Sequence, residues 1–289
     1  MGRTRHQKST CLDRIVTQVD DPAGPVVSAY ADLIEQLAAA ITGRGRRGQT
    51  GAVLAISGAP FPALNGIVSP SLEPNPDEIA ALAESEDWDV PWGIKVRGVP
   101  SPLVMEVAAR YGLTEVTRDP LMIRRPDQGW PPKPATGSLR IRAVTPDEMG
   151  EYTAVLADGF ELPHEAFRFL AVPSAAKIAG VTFYLAEADG VPVGTAMAAI
   201  SAGLTGLYNI ATLPRYRRRG YGRAITTEML RAGFAAGAPT AYLFSSSMGE
   251  PVYESAGFRT EEYLSTITAP SVDAGDAGGN VGGTLDVCR

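Results

Sequence analysis

Residues 207–234 read LYNIATLPRYRRRGYGRAITTEMLRAGF, and this stretch decides the fold of the chain. It starts with an apolar, strand-like run that ends at Pro214, because proline has no N–H to give to a sheet. A basic turn with two glycines, Gly220 and Gly222, comes next. Apolar residues then recur at helical spacing. They are Ile225, Met229, Ala232 and Ala236, with Leu230 and Phe234 beside them. The predicted order is strand, basic glycine turn, helix.

This order predicts a binding site for a di-anion such as a pyrophosphate. The first turn of a helix has free backbone N–H groups and the positive end of the helix dipole. Glycines let a phosphate approach that backbone closely. Arginines add fixed charge and forked hydrogen-bond donors. They are Arg215, Arg217, Arg218, Arg219 and Arg223. For the turn taken alone, a solvated basic surface is the alternative interpretation.

The motif in the turn is Arg217-x-x-Gly220-x-Gly222. It is neither a Walker A loop nor a Gly-x-Gly-x-x-Gly fingerprint, which disfavours a nucleotide-binding protein. It resembles motif A of the GNAT superfamily of acetyl-CoA-dependent N-acetyltransferases, Gln/Arg-x-x-Gly-x-Gly/Ala. The flanking strand and helix resemble the fourth strand and third helix of that family.

A second segment supports the same resemblance. It reads AYLFSSS at residues 241–247 and PVYESAGF at residues 251–258. These runs are similar to the fifth strand, the fourth helix and the Tyr-x-x-x-Gly-Phe ending of the family. The resemblance covers residues 138–268. It implies an α/β (α+β) fold with a mixed, mostly antiparallel central sheet flanked by helices, and acetyl-CoA as the cofactor.

The first half of the chain is predicted to be a second, smaller GNAT-like α/β domain. Residues 21–125 alternate helix and strand, and their last helix-to-strand step resembles the one that follows Ala256. No pyrophosphate turn is present there, so this degenerate half is not expected to bind the cofactor. An unrelated α/β cap is the alternative. The predicted organisation is an N-terminal tail at 1–20, the degenerate domain at 21–125, a Pro-rich linker at 126–137, the N-acetyltransferase domain at 138–268 and a disordered tail at 269–289.

Two local predictions in the first half are specific enough to be tested. Residues 43–48 read GRGRRG and mimic the basic turn, but they follow a helix instead of opening one, so a solvated loop is predicted. A helix is predicted to start at Ser101, with Leu103, Val107 and Tyr111 facing inward.

Composition sets the outer limits on function. The chain has 289 residues, a net charge of −6 and 45% apolar residues, which is typical of a globular protein and argues against nucleic acid as a partner. Cys11 and Cys288 lie near the two ends, which fits a reducing cytosol and a cytoplasmic location. With only His6 and His164, no metal site is predicted. No apolar run is long enough for a membrane span. A homodimer is left open.

The resemblance assigns roles to individual residues. The N–H group of the strand near Ile210 would polarise the thioester carbonyl, and Tyr253 would donate a proton to the leaving thiolate. Ile210, Tyr253 and Glu161 are the predicted catalytic residues. The predicted cofactor-binding residues are Ile210, Ala211, Thr212, Arg217, Arg218, Arg219, Gly220, Tyr221, Gly222, Arg223, Ser246 and Tyr253. The acceptor is predicted to be the amine of a small molecule or peptide.

The group that takes the proton from the amine is left open. Many family members carry a glutamate on the fourth strand, where this sequence has Tyr208 and Asn209. Glu161, His164 or water are the candidates, and Glu165 could help to bind the amine. The missing glutamate also keeps a second hypothesis open, a non-catalytic acyl-CoA-binding sensor or interaction protein.

Overall fold

The computed structural model describes residues 21–129, 137–246 and 249–270. These residues form one mixed sheet of eleven strands with helices on both faces. The strands are β1 (Arg44–Arg47), β2 (Val53–Ile56), β3 (Asn65–Ser69), β4 (Gly93–Arg97), β5 (Glu115–Arg124), β6 (Arg140–Ala143), β7 (Val181–Ala188), β8 (Val191–Ser201), β9 (Leu204–Thr212), β10 (Thr240–Phe244) and β11 (Arg259–Thr268). The helices are α1 (Gly24–Ile41), α2 (Pro76–Glu84), α3 (Pro102–Ala109), α4 (Met149–Phe160), α5 (Tyr221–Ala235) and α6 (Glu250–Ser255).

The strand order is β1-β2-β3-β4-β11-β5-β10-β9-β8-β7-β6. Among the described strands, only β3 with β4 and β9 with β10 pair in parallel. The predicted mixed, mostly antiparallel sheet is therefore confirmed. Helices α1 and α4 pack on one face of the sheet, and α2, α3, α5 and α6 pack on the other.

The two halves of the chain share this sheet because their last strands lie between them. Strand β11 lies between β4 and β5, and β5 lies between β11 and β10. The first half runs α1-β1-β2-β3-α2-β4-α3-β5, and the second repeats this order as α4-β7-β8-β9-α5-β10-α6-β11. The predicted domain boundaries remain predictions, and the predicted tails and most of the predicted linker lie outside the described residues.

Local sequence signals explain where several elements begin. The Asn75 side chain accepts from the N–H groups of Asp77 and Glu78 at the start of α2. Thr145 and Glu148 form a capping box ahead of α4. None of the helices in the described parts of the chain is both long and apolar enough to cross a membrane.

The prediction of a solvated loop at residues 43–48 is wrong. Arg44–Arg47 form the edge strand β1, which pairs with β2. Its arginines bind carboxylates, as in the pairs Arg44–Glu86 at 3.1 Å and Arg47–Glu35 at 2.5 Å. Charged residues are well tolerated on an edge strand because they discourage pairing with other chains.

Two predicted helix faces also need correction. Leu103 is 57% exposed, and Val104, the next residue along α3, faces the core instead. Phe234 on α5 is 55% exposed, and Ala236 is exposed as well. Gly233 takes the inward position, since a Cβ there would lie 2.0 Å from Thr205 Oγ1.

Lys95 is a buried charged residue on the face of β4 that carries α1. It pairs in register with Val68, which packs against α1, and the residue is 3% exposed. Its ammonium donates a long bond of 3.5 Å to the carbonyl oxygen of Pro62. Burial lowers the pKa of Lys95 to about 8, against an opposing effect of the nearby Asp119 carboxylate.

Because the pKa of Lys95 is lowered in the folded protein, we expect the free energy of unfolding to rise with pH. Between pH 8 and its ordinary pKa of 10.5, the unfolded chain holds a proton that the folded chain has released. Relative to a Lys95→Met variant, the free energy of unfolding should rise by about 2 kcal/mol between pH 7 and 9.5. Urea unfolding of both proteins across this range measures the difference. Parallel pH profiles would contradict the assignment.

Candidate functional site

The sheet opens into a fork between β9 and β10. The two strands pair only where Leu204, Thr205 and Gly206 face residues 240–242. Beyond Gly206, β9 continues to Thr212, and within the described residues only β8 pairs with that part of it. The free edge of a strand can pair with an extended ligand as an additional strand.

A β-bulge bends β9 inside this fork. The register between β8 and β9 shifts between Thr195 and Met197, and Asn209 opposite has φ 53°. The Thr195 hydroxyl donates to the Asn209 carbonyl oxygen at 2.8 Å, which holds the bulge in place. Bulges bend a strand and redirect its groups. Ile210, the residue predicted to present its N–H, follows the bulge directly.

The N-terminus of α5 lies at the open end of the fork and suits an anion. Gly220 is the N-cap residue with φ 80°, a conformation that favours glycine. No side chain caps this helix, and its first turn contains no acidic residue. The first N–H groups, including those of Tyr221 and Gly222, therefore combine with the positive end of the helix dipole.

Arg217 fastens the turn to the rest of the domain. Its guanidinium donates to Glu161 Oε2 at 2.7 Å, to the Gly159 carbonyl oxygen at 2.8 Å and to the Thr212 carbonyl oxygen at 3.2 Å. The side chain is only 14% exposed. These contacts join the end of α4, the end of β9 and the turn. Arg217 and Glu161, predicted as a cofactor ligand and a catalytic residue, are thus brought together as an ion pair.

The other arginines of the turn lie nearer to solvent. The guanidinium groups of Arg215 and Arg219 lie 5.1 and 5.3 Å from the ring centre of Tyr216. Arg218 and Arg223 are exposed, and Arg218 has φ 64°. The turn therefore presents several cations around the uncapped helix end.

The remaining predicted polar residues lie apart from the fork or support local structure. His164 is exposed and its Nε2 lies 2.9 Å from Asp158 Oδ1. Glu165 is exposed as well. The Ser246 hydroxyl accepts from the Gly249 N–H at 3.1 Å, at the start of α6. Within the described residues, no group of three or more His, Cys, Asp or Glu side chains could hold a metal ion.

A cavity of about 830 Å³, counting its open mouth, passes through the fork. Ile210 and Tyr253 line it on the side of α5 and α6, and Tyr253 is only 2% exposed. The opposite wall comes from the first half of the chain, through α1 and the short helical segment Pro62–Leu64. Sequence reasoning missed this wall. No local pattern in the sequence shows that the apolar residues of α1 contact the second half.

Three tyrosines, the half-buried Tyr208 and the buried Tyr30 and Tyr242, lie at the cavity or beside it. The hydroxyl groups of Tyr208 and Tyr242 are 2.9 Å apart, and Tyr30 stacks on Tyr208 with ring centres 6.3 Å apart. Burial raises the pKa of each of these phenols, so all three stay protonated at neutral pH. Tyr208 therefore cannot serve as the missing base of β9.

Comparisons with known proteins agree with this geometry. Residues 179–260 match the family model described as an acetyltransferase (GNAT) domain. A comparison with curated protein sequences finds no match. A solved GCN5-related N-acetyltransferase from Kribbella flavida is 21% identical, with a TM-score of 0.62 over 87% of this chain and 97% of that chain. Another from Sphaerobacter thermophilus is 16% identical, with a TM-score of 0.52 over 87% of this chain and 96% of that chain.

The two solved structures show a shared fold over both halves of the chain. The matched family domain, 179–260, contains β8, β9, the basic turn, α5, β10 and α6. These are the elements that form the fork, the bulge and the uncapped helix end. The match to an acetyltransferase (GNAT) domain therefore covers the elements that form the candidate site.

Proposed function

We propose that this protein is an acetyl-CoA-dependent N-acetyltransferase that transfers an acetyl group from the thioester to an amine by direct attack. The observation that carries the proposal is the juxtaposition of an uncapped helix end at Gly220 with the free, bulged edge of β9. The first is suited to a pyrophosphate and the second to an extended pantetheine arm. A cytoplasmic location would give the protein access to acetyl-CoA.

The residues of the turn fit the phosphate groups of coenzyme A. The backbone N–H groups from Gly220 to Arg223 would hold the pyrophosphate, and the exposed Arg218, Arg219 and Arg223 would add charge. The positive φ of Gly220 requires a residue without a Cβ at the helix end. Ile210, Ala211 and Thr212 would pair with the pantetheine arm along the free edge of β9.

Within this function, the residues of the fork have separate tasks. Bound acetyl-CoA supplies the activated acetyl group. The backbone N–H at Ile210 would stabilise negative charge that develops on the carbonyl oxygen. Tyr253, buried on the α6 side of the cavity, would give its hydroxyl proton to the sulfur that leaves. We assign Arg217 and Glu161 to fixing the shape of the turn, since the two side chains form an ion pair with each other.

Replacing Tyr253 with phenylalanine should slow turnover without weakening cofactor binding. The variant keeps the buried ring and loses the hydroxyl proton, so kcat should fall by about 10²-fold or more. Thiol release measures kcat, and calorimetry measures the Kd for coenzyme A. Tyr263→Phe is the matched control, because Tyr263 is 39% exposed and lies on β11 away from the cavity. Equal kcat values for the two variants would show that Tyr253 is not the proton donor.

The decisive test of the function is free-thiol release from acetyl-CoA in the presence of a panel of amines. An acetyltransferase releases one thiol for each acetylated amine, which mass spectrometry identifies. Saturable binding without turnover of any amine would favour the second candidate, an acyl-CoA sensor. That candidate is favoured by one observation, the presence of Tyr208 and Asn209 where many GNAT enzymes have a glutamate.

We also propose that the first half, residues 21–125, is a degenerate GNAT-like domain joined by residues 126–137 to the active half, residues 138–268. The repeated element order and the parallel pairs β3–β4 and β9–β10 support this division. In the first half, α2 follows β3 through Asn75 and Pro76, without a basic glycine turn. Coenzyme A should therefore bind with a stoichiometry of one per chain.

A further inference from the structure

The cavity through the fork has an apolar wall on the side that faces away from α5 and α6. That wall combines residues from three places in the chain: α1, the segment Pro62–Leu64 and the short helix His164–Leu170. Leu37 and Leu64 from the first half face the same space as Phe169 from the second half. The cavity is partly open to solvent, and Ile210 and Tyr253 are among the residues that line it. A molecule in this space would contact the reaction centre of the proposed enzyme.

None of the described residues that line this cavity has a charged side chain. Its polar lining groups are uncharged: Tyr30, Ser57, Tyr208, Asn209 and Tyr253. Ser57 is already bonded, because its hydroxyl donates to Asn65 Oδ1 at 3.2 Å. The tyrosines Tyr30 and Tyr208 stay protonated, since burial raises their pKa values. The lining therefore offers hydrogen bonds but no negative charge.

The predicted proton acceptors of the second half do not line this cavity. Glu161 binds Arg217 at 2.7 Å, and His164 lies 2.9 Å from Asp158 on the surface. A protonated amine in the cavity would lose its hydration without a charged lining residue to pair with, which is unfavourable. Polyamines, aminoglycosides and lysine side chains carry that cost. An amine that is already uncharged does not.

We propose that the acceptor is a small apolar amine that is uncharged at neutral pH, an aromatic amine, and that it binds between α1 and the fork. This proposal rests on the acetyltransferase function proposed above. The lone pair of the neutral amine attacks the thioester carbonyl carbon, a C–N bond forms and the C–S bond breaks. The amine nitrogen then loses its proton to water, the sulfur gains one from Tyr253, and Tyr253 regains its proton from water. In total, one proton moves from the nitrogen to the sulfur. The products are an N-aryl acetamide and free coenzyme A.

A neutral acceptor explains the missing glutamate on β9. A general base is needed to generate the lone pair of an ammonium group, but an aromatic amine has its lone pair available at neutral pH. Tyr208 and Asn209 then contribute shape and hydrogen bonds where a carboxylate would be an unpaired buried charge. The first half of the chain thereby gains a function, because it forms the acceptor wall.

The test uses the full chain and two six-membered ring amines of matched size, aniline and cyclohexylamine, with spermidine as a polycation. Aniline is uncharged at neutral pH, whereas cyclohexylamine is protonated. Thiol release should give aniline a kcat/KM at least 10-fold above that of cyclohexylamine, and none for spermidine. Calorimetry on protein saturated with coenzyme A should detect aniline binding. A preference for either cation, or no binding and no turnover of aniline, overturns the proposal.

A negative charge placed in the cavity provides an independent test of the acceptor proposal. Leu64 lines the cavity and is half-buried, so a polar side chain should be tolerated there. Leu64→Glu should shift the preference toward cyclohexylamine by at least 10-fold, whereas Leu64→Gln, of the same shape without the charge, should not. Thermal unfolding of both variants checks that they fold. An unchanged preference in folded Leu64→Glu protein contradicts the assignment of this cavity to the acceptor.

Calorimetry with acetyl-CoA alone separates the two levels of the proposal. Saturable binding, together with turnover of spermidine but not of aniline, leaves the acetyltransferase function in place and removes the aromatic acceptor. No binding of acetyl-CoA removes both.

Discussion

Gly220→Val should greatly weaken the binding of coenzyme A. Gly220 is the N-cap of α5 with φ 80°, and a β-branched residue in this conformation costs about 1–3 kcal/mol. The backbone can relieve this strain only by moving the first N–H groups of the helix, which are the proposed phosphate donors. A Cβ would also stand where a phosphate approaches. We expect the Kd for coenzyme A to rise by at least about 100-fold, which is about 2.7 kcal/mol.

The matched control is Gly237→Val at the other end of the same helix. Gly237 has φ 77°, and no other atom lies within 4 Å of the place where a Cβ would stand, so the backbone strain is the same without any new contact. Both variants should lose similar amounts of stability in thermal unfolding, and only Gly220→Val should lose affinity for coenzyme A. If the two variants bind coenzyme A equally well, the helix end is not the phosphate site.

Arg217→Leu should weaken the fold and the cofactor site together. The substitution leaves Glu161 and the carbonyl oxygens of Gly159 and Thr212 without their donor. Charge-assisted bonds of a partly buried group contribute about 1.5–3 kcal/mol each, less what water recovers. We expect a loss of about 2–4 kcal/mol in unfolding free energy and a Kd for coenzyme A that is about 10-fold higher. Urea unfolding and calorimetry measure the two effects.

Arg215→Leu is the control for charge alone. It also removes one cation from the turn, but Arg215 is exposed and its guanidinium contacts the ring of Tyr216, an interaction worth about 0.5–1 kcal/mol. Arg215→Leu should therefore lower the free energy of unfolding by less than about 1 kcal/mol. A direct phosphate ligand would behave differently. If Arg217 were such a ligand, Arg217→Leu would lower the affinity for coenzyme A and leave the free energy of unfolding unchanged. That outcome would contradict the assignment of Arg217 to holding the turn in place.

Much of the fold follows from local signals in the sequence. Pro214, the two glycines and the apolar spacing after them predict a strand, a turn and a helix, which are β9, the basic turn and α5. Capping residues, Asn75 and Thr145, also mark the starts of two helical segments. The GNAT resemblance of residues 138–268 correctly predicts the mixed sheet, and the match at 179–260 lies inside this range.

What the sequence did not reveal depends on contacts between distant residues. The edge strand β1 is stabilised by carboxylates of α1 and of the segment after α2, such as Glu35 and Glu86, which no local pattern links to Arg44–Arg47. Likewise, the pairing of Arg217 with Glu161 joins residues 56 positions apart. The lining of the cavity likewise combines residues of α1 with Tyr208 and Asn209 on β9, which lie far apart in the sequence.

The most direct test of the central claim is a calorimetric titration of the full chain with coenzyme A and with pantetheine, which carries the same arm but lacks the phosphates and the adenosine. The claim is that the glycine turn and the first N–H groups of α5 hold the pyrophosphate. It predicts saturable binding of one coenzyme A per chain and an affinity for pantetheine that is at least about 100-fold lower. Equal affinities for the two compounds, or no saturable heat with coenzyme A, would contradict it.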